Sequence, residues 1–236
     1  LKLLIVPLPL DPHWNRAEAL VSEQASDRAE EAEGYWLKYV KDLAGLPSLT
    51  PAERSLAQAI VWERIGERYV DECAAELGDS SDEETLAPLQ SRAVECLQRA
   101  IQLAPELLSA HETLAQAHEA WDQEDQAANV YRQLLERFPD HLDALVALFQ
   151  YHQRRDESIA ALDYALRAQR LKPANKTYQE MVWSGHVGAA RQYALQGDFE
   201  RGRAEFAAAE AISGKSRNPY FLLARKAIFE FKAGDV

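Results

Sequence analysis

The sequence predicts an all-α protein, a right-handed superhelical solenoid of antiparallel helix pairs, and three observations carry that expectation. A punctuation pattern recurs at intervals of 34 residues: Ala93, Ala127 and Ala161; Leu97, Tyr131 and Ala165; Ala100, Leu134 and Ala168; Pro105, Pro139 and Pro173. A period of this length marks helix-turn-helix units, which bury their apolar faces only against neighbouring units. Ala, Leu, Glu, Gln and Arg dominate, whereas runs of Val, Ile and Thr are scarce. With 47% apolar residues the chain has enough to bury, and 236 residues suit one elongated stack as well as two compact cores.

Apolar periodicity places helices at 14–26, 28–44, 51–77, 87–103, 107–121, 124–137, 141–154, 157–171, 176–196, 199–213 and 218–233. Over 1–50 the reading is an extended N-terminal segment followed by a divergent helical cap or repeat, with Trp36 and Tyr39 on its buried face. The stack then runs over 51–236. Pro105, Pro139 and Pro173 each close a second helix, and the connections at 122–124 and 155–157 fit tight turns. Near 74–88 the period is interrupted: helical patterning continues through Ala74 and Leu77, and the acidic, Ser-rich stretch 78–85 reads as a solvated loop. The turn at Gly197, Asp198 and Phe199 comes about seven residues late, two helical turns, which lengthens helix 176–196 without rotating its buried face. Such a helix is expected to protrude. The last stretch, 218–236, reads as a first helix without its second, so the sequence is read as a fragment of a longer polypeptide.

These residues resemble the tetratricopeptide repeat family. Trp62, Ile65, Gly66 and Tyr69 reproduce the large, Leu-like, small and aromatic spacing of its first helix, and Ala127, Tyr131 and Pro139 follow its second. The likeness covers about 55–236 and is strongest over 93–175. Leu134, Phe149 and Ala165 depart from it. Small residues at Gly66, Ala115, Ala127 and Ala161 let helix axes approach, while Trp62, Tyr69 and Tyr131 fill gaps between layers.

The resemblance implies a concave face lined by fixed positions of each first helix. Those positions hold Ile60, Glu63, Glu67, Val70 and Asp71, then Ser109, Glu112, Gln116, Glu119 and Ala120, then Asp143, Val146, Gln150, Gln153 and Arg154. Further on they hold Ser184, Val187, Arg191, Ala194 and Leu195, followed by Phe221, Ala224, Ile228, Phe231 and Lys232. The first layers are acidic and the last apolar. Glu63, Glu67, Asp71, Glu112, Gln116, Glu119, Asp143, Gln150 and Arg191 are therefore the expected partner-binding residues. Members that clamp an acidic peptide terminus use Lys and Asn where this chain has Glu63, Glu112, Val146, Glu67, Gln116 and Gln150, which excludes that ligand class.

No catalytic constellation emerges. His111 and Glu112 begin like a zinc-protease helix, but Ala115 stands where the second His is needed. Gly214, Lys215 and Ser216 look like the end of a phosphate loop, yet Ala209 replaces the earlier glycine. Cys73 and Cys96 form neither a CxxC pair nor a disulfide framework and read as free, helical thiols. A net charge of −12 disfavours nucleic acid, whose affinity comes largely from Lys and Arg. No apolar run reaches the roughly 18 residues of a membrane span, and Leu1–Leu10 is broken by Pro7 and Pro9. The expected compartment is the cytoplasm, although a chain beginning at Leu1 leaves export open. The expected activity is non-catalytic and free of cofactor or metal: a protein-interaction scaffold that takes a peptide or helix, basic or amphipathic, in its groove. The alternative is a structural or regulatory segment packed on a catalytic domain elsewhere in a longer chain. Apolar side chains Tyr220, Phe221, Leu223, Ile228, Phe229 and Phe231 at the cut end are expected to drive self-association through 218–236 unless covered.

Overall fold

Thr50, Pro51 and Glu53 set the start of the longest helix by local chemistry alone. The Glu53 carboxylate accepts from the Thr50 backbone N–H at 2.8 Å, and the Thr50 hydroxyl accepts from the Glu53 N–H at 3.3 Å. This is a capping box with Pro51 in the first helical position, where its missing N–H costs nothing. The computed structural model describes residues 12–24, 29–78, 83–213 and 229–230. They form ten helices: α1 Pro12–Gln24, α2 Ala29–Gly45, α3 Pro51–Gly78, α4 Glu83–Leu103, α5 Leu108–Ala120, α6 Glu124–Arg137, α7 Leu142–Arg154, α8 Ser158–Leu171, α9 Lys176–Leu195 and α10 Phe199–Ser213. No strand occurs among the described residues. The chain divides into two compact units, Leu1–Trp121 and Asp122–Val236.

In the first unit Ala19 of α1, Trp36, Tyr39 and Leu43 of α2, Val61 and Ile65 of α3 and Cys96 of α4 form one core. Trp36 and Tyr39 meet edge to face, as expected of residues on a buried helix face. Arg54 of α3 donates to the Leu46 and Leu49 carbonyls and fixes the α2–α3 connection. A Cβ on Gly66 would lie 2.6 Å from Leu97 Cγ and 3.3 Å from its backbone N, so α3 and α4 are as close as a glycine allows. The two helices take in the ends of the loop expected over 78–85, since α3 runs to Gly78 and α4 starts at Glu83; 79–82 lies outside the described residues. Glu83 and Glu84 favour the amide end of a helix, and buried Leu86 anchors that turn.

The second unit repeats its own devices. His141 caps α7 by accepting from the Ala144 N–H at 3.2 Å, and Asn175, 34 residues on, caps α9 through the Thr177 N–H at 2.8 Å. Phe149 of α7, Ala161, Leu162 and Ala165 of α8 and Met181, Val182 and Ala189 of α9 form a core. Val187 and Ala190 of α9, Phe206 and Ala209 of α10 and Phe229 form another. Every position of the 34-residue pattern in the Ala, Leu/Tyr and Ala/Leu columns is buried. The turn residues follow the same count: Asp122 and Asp156 have φ of 55° and 57°, and the late turn has Gly197 at 79°.

The extra length of α9 is present, at 20 residues against 13 in α7. It protrudes less than the sequence suggests. Ala189 and Ala190 are buried, and Gln192 Oε1 accepts from the Ile159 N–H at 2.9 Å, occupying an open amide at the start of α8. The tip is bare, with Leu195 71% exposed. Of the expected helix 218–233 only 229 and 230 are described; there Phe229 is buried between Phe199 and Phe206 rather than uncovered. Leu1–Leu10 lies outside the described residues.

Candidate functional site

On α3 the spacing of residues 56, 60, 63, 67 and 71 draws one stripe along the helix, because positions three and four apart lie on the same face. Leu56 and Ile60, one turn apart, are 45% and 49% exposed. Glu67 and Asp71 are exposed further along. Glu63, between them, is the exception: it is only 8% exposed, and its Oε1 is buried without a hydrogen-bond partner among the described residues. The sequence reading of Glu63 as an open groove residue is thereby corrected. The cause lies one turn to either side. Ala59 packs with Ala100, Ala104 and Ala110, and Gly66 packs on Leu97, so neighbouring backbones come close enough to bury the Glu63 stem.

Electrostatics registers this crowding. Loss of hydration raises the Glu67 carboxyl above its ordinary value, the Glu63 charge adds to it, Arg64 opposes, and Asp71 adds again. On α5 the register puts Glu112, Gln116 and Glu119 on a common face, with Gln116 and Glu119 exposed and Glu112 half-buried. α3 and α5 touch within the first unit. Leu56 escaped the sequence reading because it precedes the repeat frame; its i,i+4 relation to Ile60 was the available signal.

In the second unit Asp143 and Gln150 of α7 are exposed. Gln153 of α7 donates to the Ser184 hydroxyl of α9 at 3.1 Å, joining two positions the resemblance places on one face. Arg191 pairs with Asp156 at 3.4 Å with both side chains more than half exposed, a contact worth little. Val187, read as a groove residue, is corrected to core: it is 6% exposed beside Phe206 and Phe229. The apolar character expected there belongs in part to packing.

A polar cluster that sequence reading missed joins three helices of the first unit. Glu33 of α2 accepts from the Tyr69 hydroxyl of α3 and from Arg92 of α4, and Arg68 lies 3.8 Å away. Burial alone would raise the Glu33 carboxyl, but the Tyr69 and Arg92 hydrogen bonds outweigh it and hold the group below the usual carboxylate range. Nothing in local sequence spacing links residues 33, 69 and 92. Its contacts tie α2, α3 and α4 together, and the cluster reads as structural.

No protein-family model matches the chain. No curated protein matches it either. Among solved structures, a crystal structure of MamA protein is 14% identical, covering 84% of this chain and 92% of that one, with a TM-score of 0.44. A MamA structure from AMB-1 is 15% identical over 89% of this chain and 96% of that one, at 0.39. BtubC (BKLC) from P. vanneervenii is 14% identical over 87% and 82%, at 0.43. Likenesses this weak carry no argument; the helical-repeat fold rests on the chain's own period and the burial of its marked positions.

Proposed function

We propose that this chain is a non-catalytic interaction scaffold whose acidic first-helix faces take a basic, amphipathic peptide or helix. The observation that supports the reading is the α3 stripe, where exposed Leu56 and Ile60 adjoin exposed Glu67 and Asp71. An apolar patch continuous with carboxylates complements a helix carrying aliphatic residues and Lys or Arg on adjacent faces. Glu112, Gln116 and Glu119 of α5 extend the acidic surface, and the net charge of −12 reinforces encounter with a cationic partner. Asp143, Gln150 and Arg191 belong to the same role in the second unit. No described helix is long and apolar enough to cross a membrane.

Calorimetric titration of the 236-residue chain with a synthetic Leu/Lys amphipathic helix, and with its Leu/Glu counterpart, tests the proposal. The cationic peptide is expected to bind and the acidic one not. Glu67→Lys with Glu112→Lys should weaken binding by about tenfold or more, mainly through slower association. Equal affinity of the double variant at low salt would reject this face as the site.

A further inference from the structure

The start of α3 carries an apolar row that packing among the described residues does not use. Ala52, Leu56 and Ile60 stand four apart, and all three are exposed. Other faces of the same helix are the packed ones: Val61 and Ile65 enter the core shared with α1 and α2, and Ala59 meets α4 and α5. The chain enters the first unit at this same end of α3. Asn15, in the first turn of α1, donates to Asp42 of α2 at 2.6 Å. A little earlier on α2 the Val40 carbonyl accepts from Gln58 at 3.0 Å, and Gln58 lies between Leu56 and Ile60 in the chain. Residues 25–28 and 79–82 join the unit at the other end of α3, where Glu33 near the start of α2 meets Tyr69. The segment 1–11, which precedes α1, is therefore the one tethered beside the apolar row, and seven of its first ten residues are Leu, Ile or Val. Pro7 and Pro9 bar a helix there and remove two backbone donors.

We infer that Leu1–Leu10 docks in extended form on the Ala52, Leu56 and Ile60 row of its own chain. Reach allows it: eleven extended residues span about 36 Å, and passing round α3 means clearing a helix about 10–12 Å across. The driving force is apolar, since aliphatic side chains on both partners leave water at about 25 cal/mol per Å². Charge agrees with the register. With Leu8 over Leu56, six extended residues carry the chain about 20 Å to Lys2, while α3 rises about 17 Å from Leu56 to Glu67 and about 23 Å to Asp71. Lys2 then arrives between two exposed carboxylates, a contact that aims the segment more than it holds it. Resting on the scaffold reading above, the segment is also a built-in competitor: a partner helix reaches Leu56 and Ile60 only when Leu1–Leu10 has left them.

Methyl-detected NMR of the 236-residue chain carrying a nitroxide on Leu3→Cys tests the docking; Cys73 and Cys96 are buried and stay unlabelled. The Leu56 and Ile60 methyl signals should broaden, and those of Leu171 and Leu195 should not. Adding Ile5→Asp with Leu8→Asp should release the segment and restore the sharp signals. Unbroadened Leu56 and Ile60, equal broadening of all four, or broadening that survives the two Asp substitutions overturns the docking. So does broadening in a mixture of nitroxide-bearing chains with isotope-labelled chains that lack the nitroxide, because the occupant is then a second copy. Competition has its own readout. The chain with Ile5→Asp and Leu8→Asp should bind the Leu/Lys helix about tenfold more tightly than wild type, the gain expected when a site covered in nine molecules of ten is freed. Unchanged affinity overturns the competitor role. The scaffold reading fails separately: if neither wild type nor the released chain binds the Leu/Lys helix while the broadening holds, the face takes no peptide and the intramolecular docking alone stands.

Discussion

Glu33 and Glu67 show opposite ways of placing a carboxylate within the first unit. Glu33 is held ionised by Tyr69 and Arg92, so its contribution to stability is present above the ordinary carboxylate range and lost as pH falls through its lowered value. Glu67 is shifted the other way; its contribution is present at low pH and lost as pH rises through its raised value. Glu33→Gln should therefore cost about 2–3 kcal/mol at neutral pH by denaturant unfolding, the usual loss for hydrogen bonds to a charged group, and the deficit should shrink in acid. The exposed Arg154–Glu124 pair, at 3.0 Å, should be worth at most about 1 kcal/mol by the same method. Cys96 is fully buried, and burial pushes its thiol up to about 11, despite the opposing pull of Arg92. Cys73 is raised for the same first reason. Neither thiol should be alkylated by iodoacetamide at pH 8 until the protein unfolds, because the thiolate is the reactive form; rapid labelling of the native protein would contradict their placement.

At the scale of helices, close approach decides what a substitution does. Gly66→Ala removes a poor helix former, a gain of up to about 1 kcal/mol, but forces a methyl against Leu97. Overpacking of this kind costs about 1–3 kcal/mol, so net destabilisation is expected. Gly34 of α2 has nothing within 4 Å of its added Cβ, and Gly34→Ala should stabilise by up to about 1 kcal/mol; paired unfolding curves check both signs. Helix positions and the late turn before α10 were legible in the sequence because the 34-residue period and the seven-residue delay are counts, and counts survive divergence. The long α3 and α4 were half legible: Ala74 to Leu77 signalled continuation, whereas the acidic stretch after Gly78 masked an early start at Glu83. The burial of Glu63 and of Val187 could not be read from offsets, since it depends on how near α4, α5 and α10 come. The Glu33 cluster was invisible for the same reason, joining residues 36 and 59 positions apart.

For the chain as a whole, charge and exposed apolar area together define what it can hold. Among the described residues four large aliphatic side chains stand out as exposed, Leu56 and Ile60 on α3, Leu171 at the end of α8 and Leu195 at the tip of α9. Leu56 and Ile60 share their helix stripe with the exposed carboxylates Glu67 and Asp71. Binding of a cationic helix should weaken as salt is raised. It should also tighten as pH rises through the Glu67 range, since a basic partner favours the ionised form and its binding expels a proton. The most direct measurement is methyl-detected NMR of the 236-residue chain during titration with the Leu/Lys helix. The account predicts that the Leu56 and Ile60 methyl signals shift, while those of Leu171 and Leu195 stay in place. Shifts centred on Leu195, or spread equally over all four, would contradict it.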